Sequence, residues 1–286
     1  MREIYLDDKQ LRRKLLVFKL KIYSSITVFF LLVVGICYLI IYSPFFQLKN
    51  IEIVGNRDFE KSELIQELKL FFISQSKLAS ILGPNNILIW KEDIDQFKKS
   101  NPLIADLVIS KDYPNRKIKI EVKERKKFGI WCTAQTNTDY MLINTDSSHK
   151  SVFGQYESAC RWFDKDGILF AEAPFVEGAL INKVSDFTGR QLVIGDMILE
   201  QRFFDNLLKI FEVLEKSGLG RGFLKLENLN FQEIVSDSPI GFKIYFSLRI
   251  NPEFSLAGIK SVKEVGLEKV DYIDFRVENR VYYKIK

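Results

Sequence analysis

The chain has 286 residues, 47% hydrophobic and 28% charged, long enough for two ordinary domains and too apolar for a disordered chain. Its net charge of +5 is uneven: residues 1–21 hold seven Lys/Arg against three acids, so the rest of the chain carries about +1. The basic character belongs to the tail and lends no support to nucleic-acid binding by the body, and no nucleic-acid partner is expected.

The first element is IYSSITVFFLLVVGICYLIIY, Ile22 to Tyr42, 21 residues without a formal charge. As a helix it measures about 31 Å, the thickness of a hydrocarbon core. Tyr23, Tyr38 and Tyr42 stand towards its ends, where amphipathic rings favour the interface. The Lys/Arg cluster before it resists translocation, which predicts a cytoplasmic tail over 1–21, a transmembrane helix over 22–42 in the lipid bilayer, and roughly 240 residues outside. A signal peptide has a shorter apolar region, about 7–15 residues, and a small-residue cleavage site. Ser43-Pro44-Phe45-Phe46 offers no such site, so an uncleaved anchor is expected.

Residues 46–125 read as β-α-α-β-β. Leu48, Ile51 and Ile53 line one side of a first strand that ends at Gly55-Asn56. Leu64, Ile65, Leu68, Phe71 and Phe72 recur at helical spacing. A loop through Gly83-Pro84-Asn85-Asn86 leads to a second short helix carrying Ile94 and Phe97, stopped at Asn101-Pro102. Two strands follow, with Leu107 and Ile109 on the first and Ile118, Ile120 and Val122 on the second, joined at Tyr113-Pro114-Asn115.

From 126 to 286 the pattern is a second, β-rich domain. ACRWFDKDGILFAEAP makes two strands around the turn Asp164-Lys165-Asp166-Gly167. Phe203, Leu207, Ile210, Phe211 and Leu214 share one helix face, ended by Ser217-Gly218. FLKLENLNFQEI and FKIYFSLRI are strands separated by Asp237-Ser238-Pro239. A short helix around Leu256–Val265 precedes the closing segment DYIDFRVENRVYYKIK. The stretch 133–158 is polar and insertion-like, with Cys132 and Cys160 at its flanks.

Cys37 lies within the span as a small apolar residue. Cys132 and Cys160 fall on the outer side, where disulfides persist. A disulfide and two free thiols are both compatible with the sequence. The disulfide is the expectation, and closing 29 residues would contribute roughly 3–4 kcal/mol on a chain-entropy estimate. Two thiols and the single histidine, His149, do not make a four-ligand metal site, and no cofactor is expected. Catalytic patterns fail in turn. Setting Gly167 at the sixth position of a calcium loop puts Trp162 first and Ala173 twelfth, where carboxylates are required. Gly218-Leu219-Gly220-Arg221-Gly222 follows a helix, whereas a dinucleotide fingerprint follows a strand. Thr145-Asp146-Ser147-Ser148-His149 is a run of consecutive loop residues, and nothing fixes the geometry of a triad.

The fold class expected from these elements is α+β: one transmembrane helix, a β-α-α-β-β domain, and a mostly antiparallel β domain with flanking helices. The runs IEIVGN, NILIWKEDI and ADLVISKDYPNRKIKIEVKER resemble a POTRA domain, with Tyr113-Pro114 and Glu124-Arg125 the more specific part. A POTRA unit directly after one span, followed by Tyr272-Ile273-Asp274-Phe275-Arg276 and Val281-Tyr282-Tyr283-Lys284, resembles the FtsQ/DivIB family of bacterial cell-division proteins over roughly residues 22–286. Many relatives carry an aromatic where this chain has Val277. The resemblance implies a non-catalytic scaffold of the divisome at the septum, whose last strands receive a segment of a single-span division protein of the FtsB/FtsL type. The matching positions are Phe275, Arg276, Val277, Val281, Tyr282, Tyr283 and Lys284. Phe275, Val281 and Tyr283 equally suit core-facing roles, as half of any such strand must. Two rivals remain: a membrane-tethered extracytoplasmic enzyme or sensor with its site in 133–158, and a POTRA-bearing export component.

Overall fold

The computed structural model describes residues 8–57, 59–134, 158–174, 176, 181–220 and 223–286. Most of the stretch 133–158, with Asp146 and His149, lies outside the described residues. The architecture is α+β, with an N-terminal apolar helix, a three-stranded sheet and a nine-stranded mixed sheet. The chain divides into two compact units, Met1–Phe97 with Asp106–Lys123, and Lys98–Ala105 with Glu124–Lys286.

In the first unit, α1 runs unbroken from Asp8 to Tyr42. It begins inside the basic tail, so the boundary expected at residue 22 is one of composition and not of backbone. The most apolar 18 residues between Arg13 and Tyr42 have a mean hydropathy of 2.6, and the helix is long and apolar enough to cross a membrane. The hydroxyls of Ser24 and Thr27 donate back to the carbonyls of Lys21 and Tyr23, so these groups need no water. After it come β1 (Asn50–Val54), α2 (Lys61–Ser74), α3 (Lys77–Leu82), a 3₁₀ turn (Ile87–Ile89), α4 (Asp95–Ser100), β2 (Ile104–Asp112) and β3 (Lys117–Glu124), of which residues 98–105 and 124 group with the second unit. The sheet order is β1-β3-β2, with β1 parallel to β3. Leu64, Leu68 and Phe72 of α2 are buried with Ile118 and Ile120 of β3, and the Phe72 and Trp90 rings lie 5.2 Å apart.

The second unit holds β4 (Gly129–Ala134), β5 (Ser158–Phe163), β6 (Leu169–Glu172), β7 (Asn182–Asp186), α5 (Gln201–Lys216), β8 (Phe223–Leu226), β9 (Glu233–Asp237), β10 (Lys243–Ser247), α6 (Ser255–Val265), β11 (Val270–Phe275) and β12 (Tyr282–Ile285). The strand order is β12-β11-β10-β9-β8-β7-β4-β5-β6. Parallel pairing occurs at β4–β7, β7–β8 and β10–β11 and the other five pairings are antiparallel, so the sheet expected to be mostly antiparallel is a mixed one. Two parallel pairs are joined through helices, β7 to β8 by α5 and β10 to β11 by α6, because parallel neighbours need a crossover. The apolar stripe of α5, from Phe203 to Leu214, packs into the main core with Trp131, Phe163, Ile244, Ile273 and Phe275. Full burial of each such side chain contributes about 1.5–3 kcal/mol.

The opposite face of β4 and β5 carries a smaller cluster of Ile130, Cys132 and Cys160. Cys132 and Cys160 face each other in antiparallel register and are joined as a disulfide, with Cα atoms 4.0 Å apart. The turn between β5 and β6 is made by Asp164, whose Oδ1 accepts from the amides of Asp166 and Ile168 while Arg125 donates to Oδ2 at 2.5 Å. Gly167 there takes φ +77°, which a Cβ would strain.

Candidate partner-binding edge

The sheet has two outer strands, β6 and β12. Around β6 the backbone is occupied by the following loop: Leu169 N–H donates to Asp196, Gly195 N–H to Leu169, and Ile198 N–H to Gly167. At the other end β12 pairs with β11 alone, and all four of its residues are exposed. Among the described residues no strand covers its outer side. A strand edge of this kind presents a row of N–H and C=O groups to which another chain can add.

The hairpin that builds this edge follows from its sequence. Asn279 takes φ +56°, a left-handed conformation asparagine tolerates, and Arg280 N–H closes onto Val277 O at 3.2 Å. Residues opposite one another in register point to the same face. Tyr283 opposite Ile273 and Ile285 opposite Val270 therefore lie on the side of the main core, yet remain 45% and 51% exposed because the cover stops short of them. Tyr282 opposite Asp274 and Lys284 opposite Tyr272 lie on the other face, where the Lys284 ammonium meets Asp271 at 3.1 Å.

The seven positions singled out from the sequence thus separate. Phe275 is buried, stacked on Phe246 at 5.5 Å and met edge-on by Phe254 at 6.0 Å. Val281 packs against the same core, near Gly258 of α6. A Cβ at Gly258 would lie 2.7 Å from Phe275 Cε1 and 2.5 Å from Val281 Cγ2, so the helix approaches this closely only as glycine. Val277, Tyr282, Tyr283 and Lys284 are exposed. Of the three side chains suited to the core by alternation, Phe275 and Val281 enter it and Tyr283 does not.

Arg276 is held within its own sheet. Its Nε donates to Asp274 Oδ1 at 2.9 Å, Nη2 to Oδ2 at 2.6 Å, and Nη1 to Glu233 at 3.0 Å. The guanidinium also lies 5.0 Å from the Tyr245 ring centroid, and Tyr245 meets Tyr272 edge-on. Hydrogen bonding to Asp274 raises the already high Arg276 pKa further. For Asp274, burial opposes ionisation, but the hydrogen bonds and charge of Arg276 outweigh it and hold the carboxyl below its usual range. Sequence reasoning missed Asp274, Glu233 and Tyr245 in this cluster. The spacing Asp274-x-Arg276, two residues apart and so on one strand face, was the signal that could have found the first of them.

A cleft of about 210 Å³ elsewhere in this unit is lined by Arg202, Phe203, Asn206, Gln232, Leu248 and Arg249. Its polar groups serve the fold: Asn206 donates to the Leu248 carbonyl, and Arg202 pairs with Glu200. Among the described residues no three His, Cys, Asp or Glu side chains group as metal ligands.

No protein-family model matches this chain, and no curated protein matches it.

Proposed function

We propose that the chain is a non-catalytic, single-span scaffold of the bacterial divisome, of the kind the FtsQ/DivIB resemblance implies, with its tail in the cytoplasm and its two folded units outside at the septum. The first unit would be its POTRA domain and the second its β domain. The observation that supports this reading is the open β12 edge: four exposed residues beside a core-side face that continues past the last covered strand. An added strand there would pair its backbone with β12 and cover Tyr283 and Ile285, gaining both hydrogen bonds and apolar burial. A single-span protein of the FtsB/FtsL type, anchored in the same bilayer, would reach that edge at high effective concentration and help control septal wall synthesis through this contact.

Photo-crosslinking in growing cells tests it, with the reactive residue placed singly from Phe275 to Lys284. The expected outcome is capture of one single-span partner, strongest at Tyr282, Tyr283 and Lys284 and absent at buried Phe275. A folded, septum-located protein that captures nothing at any of these positions refutes the strand-addition reading.

A further inference from the structure

The end of α1 is unusually well tied to the domain that follows it. A helix leaves its last carbonyls without intrahelical partners. Here Leu39 O accepts from Ser43 N–H, Ile40 O from the Asn86 side-chain amide at 3.0 Å, and Ile41 O from the Gln47 amide at 2.8 Å. Asn86 is fully buried and also caps the 3₁₀ turn through Leu88 N–H. Arg116 adds a bond to Pro44 O at 3.0 Å. The linker of a freely swinging domain would leave these groups to water.

The same junction brings α3 against α1. From Arg13 to Tyr42 only Ile40 and Ile41 are shielded, so α3 sits beside the last helical turn, level with Tyr38 and Tyr42. Ala79 of α3 is buried. Leu78 and Ile81, three residues apart and so on one face, are 73% and 63% exposed, and Phe45 just beyond α1 is 54% exposed. Lys77 begins α3, Lys69 bonds Asn85 on the neighbouring loop, and α3 itself (KLASIL) has no acidic residue. In water such a face is a liability, whereas apolar side chains rimmed by lysines suit the boundary between headgroups and acyl chains.

We propose that α3 and Phe45 seat this unit on the outer surface of the bilayer, with Leu78 and Ile81 inserted below the headgroups and Lys69 and Lys77 facing lipid phosphates. The inference rests on α1 spanning the membrane. The seat and the capped helix end together fix the height and tilt of the unit, so that a membrane-anchored partner meets it in one plane.

The test is nitroxide depth measurement on the full chain in vesicles of phosphatidylcholine with a minority of phosphatidylglycerol and no other protein. Single labels go at Leu78→Cys, Ile81→Cys, Leu31→Cys in the span and Glu63→Cys on the exposed side of α2, all in a Cys37→Ser background. Oxygen collisions should exceed nickel-chelate collisions at Leu31, Leu78 and Ile81, and the ratio should invert at Glu63. If Leu31 reads as lipid while Leu78 and Ile81 read as water, the seat is wrong, the span stands, and the face is left for a protein. If Leu31 itself reads as water, the span fails and the seat fails with it.

Discussion

At one end of the nine-stranded sheet, β6 keeps Leu169 and Phe170 buried and has its backbone met by the loop of Val193 to Ile198; at the other, β12 exposes every residue it has. Both are outer strands of one sheet, so an open edge is not forced by the fold. The β6 end shows how this chain closes one: a tight turn set by Asp164, a returning loop, and a disulfide two strands in. Among the described residues the β12 end has no such cover and instead carries charges, with Arg280, Lys284 and Lys286 along or beside it. Lysines on an edge discourage indiscriminate pairing without blocking a chosen partner. The contrast separates residues that hold an edge up from residues that present it, and substitutions should divide the same way.

The largest loss is expected where the open edge is supported. Phe275→Ala removes a fully buried ring between Phe246 and Phe254 and should cost about 3–5 kcal/mol, read by urea unfolding of the full chain in micelles. Breaking the staple of the closed end comes next. Cys132→Ser with Cys160→Ser should lose roughly 3–4 kcal/mol by the loop-entropy estimate while leaving partner capture at β12 intact. Loss of capture in that variant would show that the two ends are not independent. Gly258→Ala drives a methyl into Phe275 and Val281, and about 1–3 kcal/mol is expected from overpacking.

Acid offers a gentler probe of the open end. Because the Asp274 carboxyl is held below its ordinary value of 3.8, its contribution is fully present above that value and is lost as the pH falls through the lowered one. Stability from this ion pair should therefore be unchanged between neutrality and about pH 4 and decline only below it. Asp274→Asn should remove that decline, which difference melts at low pH would detect.

How far the two ends could be foreseen depends on how local their signals are. The stripe of α5 and the Asp164–Gly167 turn are written in contiguous residues, and the helix and hairpin stand where the spacing puts them. The helix α3 is only six residues long, too short for an apolar stripe to mark it in sequence, although Ser76 accepts from Ala79 N–H at its start and Gly83 follows its end. Strand β4 went unread because it is buried on both faces, Trp131 in one core and Ile130 and Cys132 in the other, so no alternation marks it. Strand β7, NKVSD, is short and polar, with Lys183 buried and donating to Val176 O, and its partners β4 and β8 lie far off in the chain. The order that leaves β12 outermost rests on such distant pairings. The residues of the edge were legible as a strand, but their exposure was not. Arg276 illustrates the limit: a charge beside a proposed interface looks free in sequence, and only the fold shows Asp274 and Glu233 already holding it.

The smallest effect on stability should accompany a large effect on binding. Tyr282 and Tyr283 are each nearly half exposed, on opposite faces of a strand that already has its β11 partner, so alanine at either should change stability within about 0.5 kcal/mol. If a partner strand adds to β12, however, these rings become the largest side chains flanking it. Aromatic anchors at an interface cost about 2 kcal/mol or more on truncation, a loss of at least roughly thirtyfold in affinity. Tyr283→Ala should weaken partner capture more than Tyr282→Ala, because Tyr283 lies on the face where the core continues and would be covered from both sides. Equal melting curves with lost capture would assign Tyr283 to presentation of the edge. A melting shift as large as that of Phe275→Ala would make it a core residue, and the difference between the two ends of the sheet would then be one of degree.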